Sequence, residues 1–397
     1  MHEVSFYFNF IKPSPIREVF NRIAKDKSII NLTLGEPDFD TPSHIVDAAI
    51  TALKKGETHY TTSYGLYELR EAVANRYANL YDADFDPEEI CVCQGSSSGI
   101  FTTLFSILKP DDEVIIINPY YVMYPSYVRI FRAKPVFVEG KFENQFKPDV
   151  AEVEAAVTTK TKAVIVISPN NPTGGIYAKD WFHAIADLSQ DRHFFVLHDE
   201  VYESLAYEPH HSISQWAENN DHLISISSCS KTYAMTGWRI GWVATHHTII
   251  DTIKIAQNYV NLSLNTAAQY GAIAALNGSQ QSVEDMKNTY QTRVTYAYKR
   301  LRDMGFTLNA PEGAFYVFPS VTNIAKSCID LTYALLNTAK VGVIPGSAFG
   351  SAGAGNFRIS CTTSMARLEE GMNRIEDNLE TIMKQCSVRN LSRIDFI

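Results

Sequence analysis

Lys231 stands in the run Ser228-Cys229-Ser230-Lys231-Thr232-Tyr233-Ala234-Met235-Thr236-Gly237-Trp238-Arg239, just after the short apolar stretch 223–226. A lysine in a partly desolvated pocket near other cations loses proton affinity and becomes a nucleophile able to form a Schiff base. Arg239 lies eight positions on and offers a guanidinium to an anion, with serine hydroxyls beside it as further donors. Taken alone, the run also reads as a surface lysine following a strand. Carbonyl chemistry beside a phosphate is the combination that pyridoxal phosphate presents.

Four further segments suit that chemistry. Gly95-Ser96-Ser97-Ser98-Gly99 follows the strand-like run 90–93 and opens a stretch with helical apolar spacing, so its free N–H groups and hydroxyls suit a phosphate. Ser168-Pro169-Asn170-Asn171-Pro172-Thr173-Gly174-Gly175 follows the apolar run 163–167, which places an asparagine at the mouth of a buried strand. The run 194–202 ends an apolar strand in Asp199, an acid able to keep a pyridine nitrogen protonated, with Tyr202 in reach of a ring hydroxyl. Asn356-Phe357-Arg358-Ile359-Ser360 carries a guanidinium fork suited to a carboxylate. Each has an ordinary reading as a helix cap, a turn or a structural ion pair. His198 reads as a packing residue.

The elements that must position these residues follow from the pattern. Apolar strands near 90, 114–117, 136–138, 163–167, 194–197, 223–226 and 240–243 alternate mostly with helical stretches, which predicts a mainly parallel sheet with helices on both faces. Ligands bind such sheets at the carboxyl ends of strands. Gly95, Asn171, Asp199 and Lys231 each fall at or just after one, which predicts a common pocket. After about residue 280 the pattern changes: a helical stretch at 282–304 leads into Gly313-Ala314-Phe315-Tyr316-Val317-Phe318, and residues 386–397 read as a loose tail.

Together the segments resemble the class I/II aminotransferases, the fold-type I enzymes that use pyridoxal phosphate. The resemblance spans Leu34-Gly35-Glu36-Pro37-Asp38-Phe39-Asp40-Thr41-Pro42 to Phe357-Arg358-Ile359-Ser360. It implies an α/β fold, with a mainly parallel seven-stranded sheet in a large domain (41–280) and a smaller α+β domain built from 1–40 and 281–397. It implies that Lys231 joins the cofactor and moves the proton between substrate Cα and cofactor C4′. Asp199 pairs with the pyridinium, and Asn171 and Tyr202 bond the ring hydroxyl. Gly95, Ser96, Ser97, Ser228 and Arg239 form the phosphate cup, with Ser230 a weaker candidate. Tyr121 covers the ring, and Tyr60 reaches the phosphate of a neighbouring subunit, which implies a homodimer with shared sites. Arg358 clamps the substrate α-carboxylate, helped by the backbone at Gly35 and by Asn171. The same Lys, Asp and Arg set also serves relatives that eliminate a β- or γ-substituent or form rings.

Composition sets limits. The 397 residues carry 35 basic and 44 acidic side chains, a net charge of −9, with no basic tract, so neither nucleic acid nor an anionic membrane is an expected partner. No apolar run approaches a membrane span and the first residues make a poor signal peptide. Six scattered cysteines without a Cys-x-x-Cys read as reduced thiols of a cytoplasmic protein. The His210-His211 and His246-His247 pairs read as surface residues. The substrates expected are an amino acid and a 2-oxo acid such as 2-oxoglutarate or pyruvate. The phosphate turn has no lysine where some aspartate-active relatives carry one, at Ser97. Tyr60, Tyr64, Tyr121, Phe315 and Phe349 favour a neutral or aromatic donor. Aspartate remains possible if Lys12 or Arg17 supplies the second cation.

Overall fold

The computed structural model describes residues 15–387. Its centre is a sheet of seven strands: β1 (Ile90–Cys93), β2 (Glu113–Asn118), β3 (Lys134–Glu139), β4 (Thr161–Ile167), β5 (Phe195–Asp199), β6 (Leu223–Ser228) and β7 (Gly241–Thr245). The order is β1-β7-β6-β5-β4-β2-β3, parallel except for β7, which runs antiparallel to both neighbours. All seven strands expected from the apolar runs are present.

The side-chain period of two explains why these runs are apolar throughout. In β4, Ala163, Ile165 and Ile167 pack into one core cluster while Val164 and Val166 pack into another on the opposite face. Strand β2 divides in the same way, Val114 and Ile116 to one side and Ile115 and Ile117 to the other. In β5 the alternation sends Leu197 to the first face and Val196 to the second. His198 goes to the second face as well, its ring 4.5 Å from that of Phe182. Asp199 goes to the first, and that alternation decides which of two adjacent polar residues faces the site.

The register aligns Ile167, Asp199 and Ile226 across β4, β5 and β6. The loops after these strands, and those after β1 and β2, therefore leave the same edge. A third core cluster gathers Leu32, Val294, Leu301, Val317, Phe357 and Ile375 around a three-stranded antiparallel sheet, in the order Ile344–Pro345, Phe357–Ser360, Tyr316–Val317. Strand Ile30–Asn31 pairs parallel with Val341–Gly342 beside it. The helix Gln281–Asp303 spans two cores, with Met286 and Tyr290 packed against the large sheet and Val294, Ala297 and Leu301 in the other cluster.

The C-terminal reading is corrected in part. The last helix, Met365–Ser387, continues through Cys386, which is buried, because Leu368, Met372, Ile375 and Ile382 keep one apolar stripe facing the core. Residues 388–397 lie outside the described residues. No helix among the described residues is long and apolar enough to cross a membrane.

Candidate active site

The loops at the carboxyl edge surround a cavity of about 380 Å³. Strand β6 ends at Ser228, whose hydroxyl accepts the N–H of Ser230 at 3.3 Å and caps the four-residue helix Cys229–Thr232. That turn delivers Lys231 to the cavity, where Nζ donates to the Gly35 carbonyl at 2.7 Å. Burial lowers the Lys231 pKa to about 8, and Arg239 and Arg358 push the same way against Glu36 and Asp199. A tenth or so of the amine is then unprotonated at neutral pH, a fraction that an exposed lysine lacks.

Asp199 closes β5 at the floor of the cavity. Tyr124 O–H donates to its Oδ2 at 2.7 Å and the Val201 N–H to its Oδ1 at 3.3 Å. Burial still prevails over these donors and raises the carboxyl pKa to about 6. An acid so placed stays ionised at neutral pH while strongly favouring a cationic partner. Tyr202 follows in the next turn, its oxygen accepting from Asn171 Nδ2 at 3.4 Å. Arg358, buried on its short strand, donates through Nη1 to Asn171 Oδ1 at 2.9 Å and through Nη2 to the Thr33 carbonyl at 2.7 Å. Its Nε has no partner among the described residues, which leaves a buried cationic donor beside the cavity.

At the other end, helix Ser96–Ile107 begins at Gly95, which has φ +78°. A Cβ there would lie 2.4 Å from Arg239 Nη2, so glycine is what lets the guanidinium approach the helix start. Arg239 is held by bonds from Nη1 to the Thr236 carbonyl at 2.8 Å and from Nη2 to the Gln94 carbonyl at 3.1 Å. First-turn N–H groups, the Ser96 and Ser97 hydroxyls and this guanidinium make an anion cradle.

The cavity thus gathers Gly35, Ser96, Ser97, Tyr121, Asn171, Asp199, Tyr202, Lys231, Arg239 and Arg358. Gly95 serves from behind, through its backbone. Ser228 does not line the cavity, because its hydroxyl is turned back to cap the Lys231 turn; Ser230, the weaker candidate, lines it instead. Tyr60 is 84% exposed and lies in a separate hollow with Leu53 and Ser263. Lys12 and the Arg17 side chain lie outside the described residues. The surface reading of His210 is corrected: its Nε2 lies 3.0 Å from the Ser168 carbonyl and its Nδ1 3.1 Å from Tyr81 Oη, and burial lowers its pKa to about 4. All six cysteines are free and buried.

Sequence reasoning missed Tyr124, Thr33 and Tyr316. Only Tyr124 had a local signal, the helical step of three from Tyr121, and that segment also holds Tyr120 and Tyr127. Arg76 was missed too. It donates through Nη2 to Glu203 Oε1 at 2.7 Å and to Ser204 Oγ at 2.8 Å, and so ties the turn after Tyr202 to helix Tyr67–Tyr81.

These groups fit pyridoxal phosphate. The glycine-lined cradle would suit its phosphate, the buried carboxylate its ring N–H, the amine of lowered proton affinity its carbonyl carbon, and the guanidinium Nε a second anion. The comparisons agree. The sequence matches the family "Aminotransferase class I and II" over residues 27–375. It is 38% identical over 366 residues to an aspartate aminotransferase of Bacillus subtilis, covering 90% of this chain and 93% of that one. It is 40% identical over 375 residues to an aromatic-amino-acid aminotransferase of Thermococcus litoralis, covering 93% and 96%. The aspartate aminotransferase of Thermus thermophilus solved with maleate superposes with a TM-score of 0.91 at 35% identity, over 95% of this chain and 100% of that one. The chain belongs to the class I and II aminotransferases, of fold type I, and is a pyridoxal-phosphate-dependent enzyme that transfers amino groups between amino acids and 2-oxo acids.

Proposed function

We propose that the amino donor is a neutral or aromatic L-amino acid and the acceptor a 2-oxo acid such as 2-oxoglutarate or pyruvate. The observation that carries this reading is the lining of the cavity. Tyr121, Val122, Ile167, Tyr316 and Phe349 present apolar faces, and among the described residues the three cations that line it, Lys231, Arg239 and Arg358, each have another task. A distal carboxylate buried against this wall without a partner loses about 1.5–3 kcal/mol of charge-assisted bonding, or roughly 10- to 100-fold in kcat/KM. The names of the Bacillus and Thermus relatives, and the maleate of the latter, favour aspartate as the second reading. Adding single amino acids without any 2-oxo acid, and following the bound cofactor by absorbance, tests the choice. Phenylalanine or leucine should convert the cofactor at least about tenfold more efficiently than aspartate; the opposite order reassigns the donor.

In this reading each residue has one task. Bound pyridoxal phosphate supplies a carbonyl for the amino group and a ring that accepts the electron pair released at the substrate Cα. Lys231 moves the proton between Cα and C4′. Asp199 holds the ring-nitrogen proton, Tyr202 and Asn171 donate to the ring oxygen, and Tyr121 covers the ring face. Ser96, Ser97, Arg239 and the backbone at Gly95 hold the phosphate, with Ser230 in place of Ser228. Arg358 and the backbone near Gly35 hold the α-carboxylate.

The active unit we propose is a homodimer in which Tyr60 completes the partner's phosphate site. Its support is a set of exposed large apolar side chains, Tyr60 and, between 255 and 262, Ile255 at 63%, Tyr259 at 81% and Leu262 at 61%. Tyr60→Phe should raise the cofactor dissociation constant by about three- to tenfold with an unchanged sedimentation coefficient. Unchanged cofactor affinity would sink the shared site. The division we propose is 41–280 and 1–40 with 281–397; its support is the core cluster that joins Ile30 and Leu32 to residues between Val294 and Cys386, while Met286, Tyr290 and Phe315 cross it and pack with the large sheet. The six unpaired thiols support a reducing compartment, the cytoplasm.

A further inference from the structure

Tyr316 lies on the two-residue strand Tyr316–Val317, opposite Ser360 on the strand that carries Arg358. It is fully buried and lines the cavity. It touches three parts of the site. Its Oη is 2.8 Å from Tyr202 Oη. Its ring lies under Arg358, with Cζ 4.4 Å from the ring centroid. Its hydroxyl also fills the space beside Gly35, where a Cβ would come within 2.4 Å, and the Gly35 carbonyl is the acceptor of Lys231.

Proton counting at Tyr202 gives these contacts a direction. Asn171 turns its Oδ1 to Arg358, so Tyr202 meets its Nδ2, and the Tyr202 oxygen accepts one of the two amide hydrogens. Tyr202 has one proton, which goes either to Tyr316 or into the cavity. A group that donates to the ring oxygen of the cofactor needs that proton in the cavity, and Tyr316 must then be the donor in the pair. A chain of donors strengthens its last member. The aromatic face under Arg358 meanwhile holds a guanidinium that, among the described residues, has two of its three nitrogens bonded.

We propose that Tyr316 is a positioning residue with two separable parts: its hydroxyl turns the Tyr202 proton into the cavity, and its ring holds Arg358 in place for the carboxylate. The proposal rests on the roles given above to Tyr202 and Arg358. It implies that the ring-oxygen side and the carboxylate side of the site are mechanically joined through one side chain.

The test uses the cofactor-loaded enzyme and the variants Tyr316→Phe, Tyr316→Leu, Tyr202→Phe and the double Tyr202→Phe/Tyr316→Phe. The readouts are the pH midpoint of the bound cofactor's visible absorbance, and kcat and KM separately. Tyr316→Phe keeps the ring. It should raise the midpoint by about half a unit, because a weaker Tyr202 donor leaves more negative charge on the ring oxygen to hold the neighbouring proton. It should lower kcat by about three- to tenfold and leave the donor KM within about twofold. Tyr316→Leu should also raise the donor KM by roughly tenfold. The double variant should match Tyr202→Phe alone, since the hydroxyl acts only through Tyr202. A parental midpoint in Tyr316→Phe, or additive shifts in the double variant, overturns the hydroxyl role. A parental KM in Tyr316→Leu overturns the Arg358 role. A parental midpoint in Tyr202→Phe identifies a different failure, that of the role assigned to Tyr202, whatever Tyr316→Phe does.

Discussion

Lys231→Ala should keep the cofactor in the cavity and lose turnover by at least about 10⁴-fold. Two losses combine. General acid–base transfer by a positioned group supplies about 10²–10⁴ on its own, and the covalent step supplies more. Nothing nearby replaces the amine. Among the described lining residues the other cations are Arg239 and Arg358, guanidiniums that offer N–H donors and no acceptor for the Cα proton. Tyr121 and Tyr202 have their phenol pKa values raised by burial, so neither gives up a proton readily. The position of the amine follows from its surroundings: burial and two guanidiniums bring its pKa to about 8, and the Gly35 carbonyl orients it at 2.7 Å. Retention of the cofactor is expected because Asp199, Arg239 and the helix start at Ser96 remain. The measurements are cofactor content after gel filtration and single-turnover conversion with a donor in excess. Turnover above about 1% of the parent would show that another group moves the Cα proton.

The sheet was legible because a strand buried on both faces leaves a continuous apolar run, and β4 and β5 show it. The carboxyl edge then located Asn171, Asp199 and Lys231 without any side-chain geometry. Arg358 was readable as a guanidinium fork suited to a carboxylate, but its place in the site was not, since its partners are the Thr33 carbonyl and Asn171, both far away in the chain. Tyr316 escaped because its strand has two residues and its pairing with Ser360 is long-range; no period can be read from two residues. Tyr124 escaped among four tyrosines within eight positions, where only the packing of a seven-residue helix on β5 decides which one meets Asp199. That Ser228 caps its turn while Ser230 lines the cavity was not legible, because a hydroxyl caps a helix or faces a cavity with little difference in sequence. His210 looked like a loop histidine because its polar neighbours hide the buried Tyr81 and Ser168 groups that it bonds.

Asp199→Asn should make the cofactor-free chain more stable and the loaded enzyme far worse. Burial is the largest cause that raises the folded carboxyl pKa from its ordinary 3.8 to about 6. A raised acid pKa means that the folded chain binds more protons than the unfolded chain between those two values. The stability advantage is then complete below about pH 4 and is lost as pH rises through about 6. At neutral pH the buried carboxylate costs the cofactor-free protein about 3 kcal/mol, from a gap of roughly two units at 1.36 kcal/mol each. An asparagine removes that charge, and its Oδ1 can still accept from Tyr124. A net gain of about 1–2 kcal/mol, or about 1–2 °C in Tm for a chain of 397 residues, is expected at pH 7 and should fade by pH 4. The cofactor reverses the sign. A ring N–H⁺ compensates the carboxylate in a dry site, and losing that pair weakens cofactor binding by about 10- to 100-fold and kcat by about 10²–10³. The added Tm on loading should therefore be smaller in the variant than in the parent. Melting curves with and without pyridoxal phosphate at pH 7 and pH 4 separate the two effects. A cofactor-free variant less stable than the parent at pH 7 would mean that Tyr124 and Val201 already satisfy the carboxylate, and that Asp199 is not held ready at a cost for a cationic partner.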